Sequence, residues 1–97
     1  MNNLQRNYIN ARRTLDTITK EGVAAYDSVA QERLALAKEL HDKARRALIL
    51  WGLDKCLALC QTDLDREAFQ CLRTYAGRGL TTSQAKRLAE MCLKLED

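Results

Sequence analysis

The chain has 97 residues and a mass of 11.0 kDa, with 16 Lys+Arg against 13 Asp+Glu and a formal net charge of +3. That length allows one domain at most, with a folded surface near ~5,600 Å² and a single modest core, marginal as a monomer and easily helped by a partner or a second copy. There is no Pro, against 16 Leu and 13 Ala, so the composition points to a nearly all-helical domain, because Pro is the residue helix interiors exclude most strongly.

Several function classes fall away early. The longest apolar run, residues 47–53, is far short of the ~20 residues a membrane span requires. The opening Met-Asn-Asn-Leu-Gln-Arg-Asn has no apolar segment of signal-peptide type. A reducing cytoplasm is expected, where the four cysteines stay thiols. The single His41 lies between Leu40 and Asp42 with no nucleophile placed beside it by a local motif, and there is no G-x-S-x-G, phosphate-cradling Gly loop or H-E-x-x-H. The expectation is a protein that acts by binding, without catalytic residues, cofactor, metal or small-molecule substrate.

In chain order, the first half carries an apolar stripe: Leu4, Tyr8, Ala11, Leu15, Ile18, Gly22, Ala25 and Val29, spaced alternately by four and three. That is the seam of a helix packed along another helix. Gly22 suits the residue that ends a first helix, and Ser28 to Gln31 has capping-box form. Yet nothing in residues 23–26 stops a helix and the stripe keeps its phase through Gly22, so one long helix and a hairpin both fit, with a kink or hairpin favoured by compactness.

The next helix is expected to run to about Trp51, with Leu36, Leu40, Ala44, Ala47, Leu48 and Trp51 inward and its last residues enclosed on all sides. Gly52 allows a bend, after which a short segment carries Leu53, Cys56, Leu57 and Cys60. Thr62-Asp63-Leu64-Asp65 opens a further helix with a cap and acidic first-turn residues, and Leu64, Ala68, Cys71, Leu72 and Tyr75 are expected inward. Gly77-Arg78-Gly79 ends it. Thr81 to Gln84 is a second capping box, and the last helix turns Leu88, Cys92 and Leu95 inward, with Ala85, Ala89 and Met91 alongside. The predicted architecture is an all-α bundle of four or five helices in a single domain spanning 1–97.

Cys56 and Cys60 stand one helical turn apart, but two close pairs of the structural-zinc kind are absent. Each cysteine falls among apolar positions, which favours core packing. Charge is uneven: the whole excess of +3 lies in residues 1–52, and residues 53–97 are neutral.

Two functional readings follow. The first is a non-enzymatic interaction module, an adaptor, inhibitor or small subunit docking an amphipathic helical face on a larger protein or on its own copy. Leu4, Tyr8, Ala11, Leu15 and Ile18 are its expected contact residues. The alternative is a small basic nucleic-acid-binding protein. Arg6, Arg13 and Lys20 recur every seven residues opposite the stripe, and Lys38, Lys43, Arg45 and Arg46 add to them, although Glu39 and Asp42 are placed to neutralise part of that cluster. On a helix-turn-helix reading of the last two helices, Arg87 joins Ser83, Gln84, Lys86, Glu90 and Lys94 on a reading face. On a narrower anion-site reading, Arg78 converges with Thr81, Thr82 and Ser83. The five aromatics, Tyr8, Tyr26, Trp51, Phe69 and Tyr75, are not interleaved with basic residues, which argues against unpaired-base recognition.

Overall fold

A computed structural model describes residues 1–22 and 26–96, with the backbone alone for 77 and 78. Four helices follow one another: α1 (Asn3–Glu21), α2 (Ser28–Leu59), α3 (Asp63–Arg78) and α4 (Thr82–Leu93). The central helix is α2, and each of the others packs mainly against it.

The helix ends obey local capping chemistry. At α1, the Asn2 side chain accepts from the Gln5 backbone N–H at 2.9 Å while the Gln5 side chain accepts from the Asn2 N–H. Gly22 closes that helix with φ +77°, a backbone conformation open to Gly and strained for other residues. This decides for two helices over one long one. Residues 23–25 of the predicted stripe, Ala25 among them, lie outside the described residues. The expected capping box at Ser28 is displaced by one residue: Asp27 caps α2, its carboxylate accepting from the Ala30 N–H at 3.0 Å. Thr62 caps α3, and Thr81 with Gln84 forms the expected reciprocal box on α4.

The bend expected at Gly52 does not occur, and the five segments become four. Helix α2 runs unbroken to Leu59. A glycine inside a helix costs about 1 kcal/mol relative to Ala, so it needs a packing reason. A Cβ built on Gly52 would collide with Sγ of Cys92 on α4. The missing side chain lets α4 lie closely against α2.

The core comprises Tyr8, Leu48, Ile49, Leu53, Ala85, Ala89 and Cys92. Three helices meet there, which is why α2 is apolar all round at this level. The only buried polar residue among those described is Gln5, 1% exposed. Its amide nitrogen donates to the carbonyls of Cys92 at 3.1 Å and Leu95 at 2.9 Å, with Leu93 at 3.4 Å. Those carbonyls belong to the last turn of α4 and the residues just after it, where a helix runs short of backbone donors, although the Cys92 carbonyl also accepts from the Leu95 N–H at 3.2 Å. One side chain therefore caps the start of α1 and the end of α4.

Several expected inward positions point out. Leu36 and Leu40 are more than half exposed, and Ala37 is buried instead. On α3 the reversal is complete: Leu64 is 78% and Tyr75 65% exposed, Ala68 and Cys71 are exposed, and Leu72 is only marginally covered. The helix turns Phe69 and Ala76 to the core instead, and Arg73 on the same side bridges Asp54 of α2 at 2.6 Å. The inward side of α3 is the one that buries the Phe69 ring and lets Arg73 meet Asp54, while Leu64 and Tyr75 at the two ends of the other stripe stay exposed. Met91 is 59% exposed.

The molecule is elongated and thin, 55 × 26 × 15 Å. Its radius of gyration is 15.8 Å, where a compact chain of this length gives about 12.5 Å. Its accessible surface is 7196 Å², about 1,600 Å² above the compact expectation.

Candidate interaction surfaces

The predicted contact stripe on α1 divides. Tyr8 is 2% exposed and belongs to the core; the Arg12 guanidinium lies 5.4 Å from its ring centre and the His41 ring 5.5 Å. Arg12 continues to Glu90 of α4 at 2.7 Å. Leu4 packs against the core edge, and Ala11, Leu15 and Ile18 are half-buried. Leu4 and Ala11 also line a shallow groove between α1 and α2, completed by Ala37, Leu40, Ala44 and Ala47, with polar Asn7, Asn10, Thr14 and Lys43 at its margin. Leu36 lies one turn before Leu40 on the same side of α2 and is 56% exposed.

A second apolar groove separates α3 from α4, lined by Leu72, Tyr75, Leu80, Leu88, Gln84 and Arg87. Beside it on α3, Cys71 and Tyr75 share a further surface hollow with Glu67, Gln70 and Thr74.

The basic residues do not form one field. Arg6, Arg13 and Lys20 are exposed along α1. Lys43 sits at the α1–α2 groove and pairs with Glu39 at 3.2 Å. Arg45, held at 3.4 Å from Asp42, and Arg46 instead line a small cleft of about 170 Å³ against Gly79, Leu80 and Ala85. Lys38 is exposed on α2 and Arg87 faces the α3–α4 groove, while the Arg78 side chain lies outside the described residues. Helices α3 and α4 each pack on α2 and only marginally on one another, unlike a helix-turn-helix pair. At the start of α4, the Thr81 hydroxyl is already spent on the Gln84 N–H.

Cys92 is buried, Cys56 and Cys60 are half-buried, and Cys71 is exposed, which corrects the expectation that all four pack inward. The Cys60 thiol donates to the Cys56 carbonyl at 3.1 Å. Burial, and secondarily the neighbouring Cys56, push the Cys92 thiol up to about 11, so it stays protonated and inert at neutral pH. Among the described residues no three His, Cys, Asp or Glu side chains are grouped to hold a metal ion, and no helix is long and apolar enough to cross a membrane.

Sequence reasoning missed Gln5, although Asn2 and Gln5 have capping-box spacing; nothing local announces its second role at the end of α4. No family model, curated protein or solved structure matches the chain.

Proposed function

We propose that this protein is a non-enzymatic interaction module that receives an amphipathic helix of a larger protein in the groove between α1 and α2. The observation that carries this reading is the pair Leu36 and Leu40, one turn apart and each more than half exposed beside an apolar trough floored by Ala37, Ala44 and Ala47. Small residues on the floor admit a helix closely, and flanking leucines supply anchors at helical spacing. The polar margin of Asn7, Asn10, Thr14 and Lys43 provides the hydrogen-bonding rim usual around an apolar contact. Nucleic acid is the weaker reading, because Lys43 and Arg45 are already paired and the remaining cations are spread over four helices.

A photoreactive amino acid installed at position 40 in cells, with position 13 as control, tests this. The module reading expects one discrete protein adduct from position 40 that survives nuclease and high salt. Adducts formed only from position 13 and lost with nuclease, or no adduct from position 40, contradict it.

A further inference from the structure

The outer face of α3 carries an unused helical seam. Leu64, Ala68, Cys71 and Tyr75 are spaced four, three and four, the a/d rhythm of two helices packed side by side, and all four are exposed. We propose that this seam is the homodimer interface, pairing α3 antiparallel with the α3 of a second copy about a twofold axis that passes near Phe69 and Gln70.

Three observations select a second copy running antiparallel. The first is size. Under that twofold, Leu64 meets Tyr75 of the other copy at both ends, while Ala68 meets Cys71 at the middle. Large residues oppose large ones and small oppose small, so one surface complements itself, as a twofold contact requires.

The second is charge. The first two turns of α3 hold Asp63, Asp65 and Glu67, and no acidic residue follows in that helix. None of these three carboxylates has an ion pair among the described residues, and neither does Arg87, which lines the groove beside Leu72 and Tyr75. Antiparallel pairing brings Asp65 of one copy alongside Leu72 and Arg87 of the other, joining acid to base twice. It also opposes the two helix dipoles, whereas parallel pairing sets acidic ends and like dipole ends together.

The third is area. Each chain exposes about 1,600 Å² beyond the compact expectation. A standard-size interface removes about 800 Å² from each partner, so the excess surface of the whole chain is large enough to supply one, and the α3 face is separate from the α1–α2 groove. The proposal concerns a different face from the groove and does not depend on what binds there.

The test is sedimentation equilibrium of the full chain up to about 100 µM, a range that detects micromolar association. A dimer is expected. Leu64→Asp and Tyr75→Asp should each weaken it about thirtyfold or more, as loss of an apolar anchor does. Both positions are largely exposed in the monomer, and unchanged helical circular dichroism verifies that folding is kept. Asp65→Arg alone should weaken the dimer about tenfold, and Asp65→Arg with Arg87→Asp should restore it. A short thiol-to-thiol cross-linker should trap the dimer through Cys71, and Cys71→Ser should abolish trapping. A chain that stays monomeric throughout overturns the proposal. So does a dimer indifferent to Leu64→Asp and Tyr75→Asp, or one lost instead with Leu40→Asp.

Discussion

Helices α1 and α3 are both amphipathic and both lie on α2, yet they end in opposite conditions. Helix α1 buries Tyr8 and Gln5 where α2 and α4 converge, and its side chains reach both neighbours through His41, Glu90 and the last carbonyls of α4. Helix α3 buries no residue fully among those described, meets α2 through Phe69, Ala76 and Arg73, and leaves a longer apolar seam in water. Apolar periodicity says that a face is to be covered. Whether the chain itself covers it depends on how many other elements arrive.

The sharpest way to break this comparison is a matched pair of truncations. Leu48→Ala should cost about 3–5 kcal/mol, since Leu48 is 0% exposed where three helices meet. Leu64→Ala on α3 should cost the monomer under about 0.5 kcal/mol. Urea unfolding of both variants, at concentrations where the chain is monomeric, measures the contrast. Comparable losses would show that α3 packs through the wrong face in this account.

The next effect concerns the polar tie between α1 and α4. Gln5→Ala should destabilise by about 1–2 kcal/mol, because it removes the side-chain donor shared by the carbonyls of Cys92, Leu93 and Leu95, of which Cys92 alone keeps a backbone partner among the described residues, the Leu95 N–H. Hydrogen exchange should then speed up in α4 more than in α3.

Alkaline pH sharpens the same corner. The folded state holds the Cys92 proton up to about 11 against an ordinary value of 9.0. The stability this contributes is fully present below pH about 9 and is lost as pH rises toward 11, reaching about 2 kcal/mol at the top of that window. Cys92→Ala should flatten that part of the stability-versus-pH curve relative to wild type. Parallel curves for the two proteins would contradict it.

A smaller effect probes the close approach of α2 to α4. Gly52→Ala should cost about 1 kcal/mol net, the collision with Cys92 outweighing the gain in helix propensity. In a Cys92→Ala background the same change should cost clearly less, because the Sγ collision is gone and only the close approaches to Cβ of residue 92 and to Leu95 remain, a coupling a double-mutant cycle reads directly.

What the sequence revealed follows the range of its signals. Caps at Thr62 and Thr81 rest on a few adjacent residues and were legible, whereas at Gly22 the sequence leaves a break and a continuous helix both open, because the stripe keeps its phase through that residue. The continuity of α2 was not legible, because Gly52 answers to Cys92, forty positions away, and alone it reads as a bend. Helix α3 misled for a related reason. Its stripe at Leu64, Ala68, Cys71 and Tyr75 has the better helical rhythm, while Phe69 and Ala76 form a shorter set on the other side, and periodicity does not tell which of two apolar faces meets α2. The α1 stripe was identified correctly as a packing face, but its largest member, Tyr8, is used within the chain. The exposed leucines beside the α1–α2 groove were mistaken for core because Leu36 and Leu40 keep phase with Leu48 and Trp51, which do turn inward.

The most direct test of the contrast between the two regions is the alkylation rate of each cysteine across a dilution series, resolved by peptide mass spectrometry. Cys92, buried where α2 and α4 meet, should react slowly at every concentration. Cys71 should react fast when dilute and become protected as a second copy covers the α3 seam. A Cys71 that reacts equally fast at all concentrations would contradict the account, leaving the outer face of α3 in water with nothing of its own kind to meet it.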